Sequence, residues 1–83
     1  MTDRGITVLL FARYADLLGA TAIEIPTREG KTVATVVGYL RSLPGGNALP
    51  TRPLVAVNRC QVSLDAELFP GDEVALLPPM AGG

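Results

Sequence analysis

Apolar residues recur at Val33, Val36, Val37 and Leu40, with Leu43 in phase three positions further on. Spacing of i, i+3, i+4 and i+7 gathers side chains into one stripe along an α-helix. Thr32 stands just before the stripe, where its hydroxyl can accept from the open amides of the first helical turn. Propensity works against the assignment, because the segment is rich in valine and Gly38 costs about 1 kcal/mol relative to alanine in a helix interior. Periodicity reports tertiary burial, however, and is the stronger signal. The pattern predicts one main helix from Val33 toward Leu43, stopped firmly by Pro44-Gly45-Gly46-Asn47.

The flanking segments read as strands. Ile6 to Phe11 is β-branched and aromatic, with apolar side chains on both faces, as suits a central strand. Ala12 to Leu18 fits about two short helical turns, with Gly19 placed as the left-handed residue that ends them. Thr21 to Ile25 alternates and stops at Pro26; so short a connection predicts an antiparallel return beside the first strand. Leu54 to Val57 reads as a short buried strand, Asn58-Arg59 as a turn, and Gln61 to Ser63 as a brief strand. Pro70-Gly71-Asp72 is a strong turn signal before the last strand, Glu73 to Leu77, which Pro78 ends. The expected class is α+β, a small mixed sheet with the main helix on one face and a short second helix.

One helix covers one face only. With Val74 and Leu76 directed at the helix, Ala75 and Leu77 point away, and the same alternation sends Leu9 and Phe11 to the uncovered side. If the first and last strands are neighbours, these four residues form an apolar patch, the kind of surface that marks a partner. The alternative is that the Ala12–Leu18 segment covers them.

Composition removes several function classes. The 83 residues are one domain with a modest core, and 48% apolar residues with 7 basic against 8 acidic groups describe a globular chain. Its net charge of −1 and lack of a basic run argue against nucleic-acid binding. No apolar stretch is long enough to span a membrane, and the N-terminal sequence lacks a secretory pattern. A single cysteine, Cys60, gives no disulfide framework and fits a reducing cytoplasm. There is no histidine, and the carboxylates are scattered, so neither a metal site nor an unaided catalytic centre is expected. Cys60 reads as incidental, and Lys31, the only lysine, as a solvated charge.

Four stretches carry a resemblance: LLFARYADLLG at 9–19, LVAVN at 54–58, GDEVALLPP at 71–79 and the terminal Gly82-Gly83. In this order and spacing the chain resembles the sulfur-carrying small subunits of molybdopterin synthase, among the ubiquitin-like β-grasp carriers that include the thiamine-pathway carrier. The resemblance implies a β-grasp domain over 1–77 and an extended, flexible tail over 78–83. It also implies a cosubstrate and not an enzyme. An E1-like enzyme, using ATP and magnesium, adenylates the carboxylate of Gly83. A sulfur donor of cysteine desulfurase or rhodanese type then displaces AMP, leaving a thiocarboxylate. In the large catalytic subunit that group gives its sulfur to the cyclic pyranopterin monophosphate precursor, building the molybdopterin dithiolene.

The tail's residues suit this chemistry. Gly83 leaves its carbonyl open from both sides, and Gly82 lets the backbone enter a narrow channel. Pro78 and Pro79 favour extended geometry and lower the entropy lost on insertion. Met80 is an adaptable apolar contact, followed by the small Ala81. From Pro78 to the end the extended reach is about 20 Å. The resemblance carries Phe11 and Leu77 over as patch positions, and with Pro78, Pro79, Met80, Ala81 and Gly82 it makes them the expected partner-binding residues, with Gly83 as the reactive terminus.

Three stretches depart from the family pattern. Ala15-Asp16 stands where an Arg-Glu pair is usual, Gln61 is polar at an apolar patch position, and Met80-Ala81 replaces valine and a small residue. The FARYADLLG stretch favours the molybdopterin branch over carriers for thiamine, cysteine or tRNA thiolation. A ubiquitin-like modifier linked through Gly83 and a plain β-grasp binding module are the other readings.

Overall fold

The computed structural model describes residues 5–29 and 31–78. Five strands form one sheet: β1 (Ile6–Leu10), β2 (Ala22–Ile25), β3 (Leu54–Val57), β4 (Cys60–Val62) and β5 (Glu73–Leu77), in spatial order β2-β1-β5-β3-β4. The central pair, β1 and β5, is parallel, and every other pairing is antiparallel. Helix α1 (Ala12–Leu18) follows β1, and helix α2 (Val33–Arg41) lies between β2 and β3. Short 3-10 turns occupy Thr27–Glu29 and Gly46–Ala48. A mixed five-stranded sheet grasping one main helix is the ubiquitin-like β-grasp fold.

The predicted stripe is the buried face of α2: Val33, Val36, Val37 and Leu40 are all in the core, while Leu43 lies half-buried beyond the helix end. Against them pack Ile6, Val8 and Leu10 of β1, Ile25 of β2, Val55 of β3, and Val74 and Leu76 of β5. The alternation therefore falls as expected, with the even residues of β1 and β5 inward.

The opening of α2 leaves no amide idle. Thr32 accepts from the Thr35 amide, and the Thr35 hydroxyl in turn accepts from the Thr32 amide, a reciprocal capping box. The amides of Val33 and Ala34 donate to the carbonyls of Ala66 and Leu64, which straps the 64–68 segment across the helix start. Asp65 lies in this strap. Hydrogen bonds from the Ser63 hydroxyl and from its own backbone hold its carboxyl below the usual carboxylate range.

Gly38 is exposed, and a Cβ built there meets nothing within 4 Å. Only the backbone-entropy cost of glycine remains at that site. Gly38→Ala is expected to raise stability by about 0.5–1 kcal/mol, read as a higher denaturation midpoint at unchanged m-value.

Four boundaries differ from the sequence reading: β1 stops at Leu10 and not Phe11, β2 starts at Ala22 and not Thr21, and two others shift for local reasons. The third of the short strands is Cys60–Val62 rather than Gln61–Ser63, because Asn58 and Arg59 (φ 50° and 74°) form a two-residue hairpin loop that pairs Val57 directly with Cys60. Helix α2 ends at Arg41, with the 3-10 turn at Gly46–Ala48 filling part of what the sequence reads simply as a break.

Candidate functional site

The sheet face away from α2 is the candidate site. Its residues can be placed row by row from the strand register. In the middle row, Leu9 stands between Ala22 and Ala75, Ala75 opposite Ala56, and Ala56 opposite Gln61. Next to it, at the end where β5 finishes, Leu77 is paired with Leu54. Phe11 keeps extended dihedrals (φ −124°, ψ 150°), so its side chain stays on the Leu9 side, beside Leu77. At the opposite end, Thr7 stands between Glu24 and Glu73.

The face is therefore graded along the strands. Its apolar end holds Phe11, 45% exposed, Leu54, 46% exposed, and half-buried Leu77. Three alanines of the middle row, Ala22, Ala75 and Ala56, keep it low beside Leu9 and Gln61. The far end is polar, with the Thr7 hydroxyl donating to Glu24 Oε1 at 2.9 Å.

Helix α1 does not cover this surface. Its buried residue, Tyr14, joins the core shared by α2 and the sheet, and Ala15, Leu17 and Leu18 pack against that same core. Asp16 is exposed. The chain reverses out of β1 through Ala12, whose φ of 49° lies in the left-handed region disfavoured for a residue with a Cβ. That reversal makes Phe11 the last extended residue and leaves its ring on the surface.

Strand β5 delivers the chain to the apolar end of the face. Leu77 and Pro78, both half-buried, stand at the root of the C-terminal segment. The expected partner contacts Pro79, Met80, Ala81 and Gly82, and the reactive Gly83, lie outside the described residues. Leu54, read from sequence as part of a buried strand, is half exposed and pairs across to Leu77, so it belongs to the patch. No local signal marks it, since its exposure follows from the long-range pairing of β3 with β5. Gln61 does lie on the open face, at its margin, and is exposed. Cys60 is exposed and, by alternation, points to the other side of the sheet.

The Gly71-Asp72 turn locks the far end of the sheet. Asp72 accepts from the Phe69 amide (2.8 Å) and from the Asn58 side-chain amide (3.0 Å), while the Asn58 carbonyl oxygen accepts from the Glu73 amide (3.0 Å). These bonds pin the β3–β4 loop to the entrance of β5 and fix the register that places Leu77. Among the described residues no group of three or more His, Cys, Asp or Glu is arranged to hold a metal ion, and no helix is long and apolar enough to cross a membrane.

Fold and surface together define a ubiquitin-like β-grasp domain with one open sheet face, at whose apolar end the central strand β5 finishes. Residues 8–83 match the ThiS family model, and the chain belongs to that family. It is 37% identical, over 81 residues, to the molybdopterin synthase sulfur carrier subunit of Escherichia coli (strain K12), covering 94% of this chain and 99% of that one. Among solved structures, the small archaeal modifier protein 1 of Methanosarcina acetivorans superposes with a TM-score of 0.79 at 20% identity, each chain covered 100%. A chain of the complex of subunits 1 and 2 of molybdopterin-converting factor from Helicobacter pylori 26695 gives a TM-score of 0.68 at 22% identity, covering 94% of this chain and 97% of that one.

Proposed function

We propose that this chain is the sulfur-carrying subunit of a molybdopterin synthase, with the C-terminal carboxylate of Gly83 as its reactive group. The observation that carries the reading is where β5 ends. Leu77 sits at the apolar end of an uncovered sheet face, so a partner gripping that face receives the following segment directly. The E. coli relative, a sulfur carrier subunit by name and matched over nearly its full length, supports the same assignment.

In this scheme the domain does no acid–base chemistry of its own. A carboxylate repels nucleophiles and has no good leaving group. An E1-like partner therefore converts the Gly83 carboxylate to an acyl-adenylate with ATP and magnesium. The terminal sulfur of a persulfide on a cysteine desulfurase or rhodanese type donor attacks the acyl carbon and expels AMP, giving an acyl disulfide. A thiol then cleaves its S–S bond, releasing the thiocarboxylate and leaving the donor sulfur in a new disulfide. The large catalytic subunit then brings that sulfur to the cyclic pyranopterin monophosphate precursor. The domain supplies the docking face and the reach.

Intact-mass analysis of the protein purified from cells that are making molybdenum cofactor tests this. The expected spectrum contains a population shifted by one oxygen-to-sulfur exchange, absent when Gly83 is deleted. A wholly unmodified terminus in such cells would overturn the proposal. Ladders of covalent conjugates in place of that shift would make the chain a modifier instead.

A further inference from the structure

The polar end of the open face is unused by the scheme above. Glu24 on β2 and Glu73 on β5 flank Thr7 on β1, so both side chains rise from the same side of the sheet, with their backbones about 10 Å apart across two strand spacings. No lysine or arginine occupies any open-face position of the five strands. The Glu24 carboxylate accepts from the Thr7 hydroxyl, and neither glutamate has an ion-pair partner among the described residues. Arg28 lines one hollow with Glu24, Gly5 and Pro26 beside the outer strand β2, so Glu73 is the carboxylate of the row with no cation lining a hollow beside it among the described residues.

Size makes this row part of any stable docking. Along β5 the distance from Glu73 to Leu77 is about 13 Å, and the sheet is about 19 Å between its outer strands. A specific interface buries about 800 Å² on each partner. That exceeds the whole face, so a partner that grips Leu77 and the segment after it also covers Glu24 and Glu73. Covering two carboxylates with apolar or acidic surface opposes docking, because they lose water without gaining a new partner. A cation in the same place restores the balance and rejects partners that lack it.

We infer that the surface covering this face carries lysine or arginine side chains opposite the Glu24–Thr7–Glu73 row, and that this row sets the register in which the partner docks. The inference rests on the reading of the chain as a synthase subunit, and its occupant is the large subunit of that synthase. The apolar end supplies burial, which is non-directional. The carboxylate end supplies orientation, so that the chain beyond Leu77 enters the partner at one angle.

The test is calorimetric titration of the full-length chain into the large subunit from the same organism, at low and at moderate salt. The variants are Glu24→Lys/Glu73→Lys, Glu24→Gln/Glu73→Gln and Leu77→Asp. Both glutamates are exposed, and the glutamine pair preserves the acceptor for Thr7 if the lysine pair folds poorly. Charge reversal is expected to weaken binding about 30-fold, and the glutamine pair several-fold with a flattened salt dependence. Wild-type affinity and salt dependence in both charge variants, with binding lost in Leu77→Asp, would sink the inference and leave the docking face standing. If Leu77→Asp also bound normally, the reading of the face as the subunit interface would itself fail.

Discussion

Replacing Gly82 by valine stops sulfur delivery and leaves the domain folded. Among the described residues the core runs from Ile6 to Leu76, and Gly82 has no side chain to bring to it. Thermal unfolding of the variant should therefore match the wild type. Delivery should not survive. A terminal glycine pair presents backbone alone, and a β-branched side chain beside the reacting carbonyl adds width where the scheme requires a narrow passage. Misplacement of a reacting group by about 1 Å is enough to cost about 100-fold in rate, and at least that loss is expected here. The measurement is single-turnover transfer, starting from protein already converted to the thiocarboxylate, so that adenylation is bypassed. Normal transfer by the valine variant would remove the narrow-passage argument and with it the reason for glycine at position 82.

Much of the scaffold beneath that tail is readable from local pattern. The stripe Val33-Val36-Val37-Leu40 identifies α2 because a buried helical face must repeat at its own period. Thr32 and Gly19 mark a helix start and a helix end for reasons internal to a few residues, and Gly19 indeed takes φ 71°. Strand alternation then predicts which side chains leave the core, including Leu9, Phe11, Ala75 and Leu77. What local pattern cannot supply is the pairing partner of each strand. Leu54 is read as buried because LVAV is an apolar run. Its exposure depends on lying opposite Leu77, at the end of a sheet with no second layer. Thr35 escapes notice for a similar reason, since its half of the capping box replaces the acidic or amide residue usually found there. The chemistry of the terminus is legible in a different way. Nothing in the composition says sulfur; the family pattern does, and the fold adds the face from which the terminus departs.

The chain contains a second Gly-Gly, at 45–46, and changing it should have the opposite outcome: Gly46→Ala destabilises the domain and leaves the chemistry of the terminus untouched. A Cβ at Gly46 would lie 1.9 Å from the Leu40 carbonyl oxygen, 2.9 Å from its carbon and 3.0 Å from Arg41 Cα. All three are backbone atoms at the C-terminal end of α2, so no rotamer change can make room. Gly45 is held as tightly, with φ 84° and a would-be Cβ 2.1 Å from the Leu17 carbonyl oxygen of α1. The two glycines thus form the seam where the ends of both helices meet the loop that leads to buried Leu49. Relief requires α2 to move off the sheet, which opens the packing of Leu40 against the core. The expected cost is about 3 kcal/mol. For a domain of this size it lowers the melting temperature by about 12–24 °C. Calorimetry checks the shift, and Gly38→Ala, in the same helix but facing open space, is the control that should move the other way. Below its lowered melting temperature, Gly46→Ala should still accept and deliver sulfur in proportion to its folded fraction, because the seam lies on the helix side of the sheet and the partner surface on the other. A loss of transfer larger than the loss of folded protein would mean that the two faces are coupled through the sheet, and that the open face is not an independent docking surface.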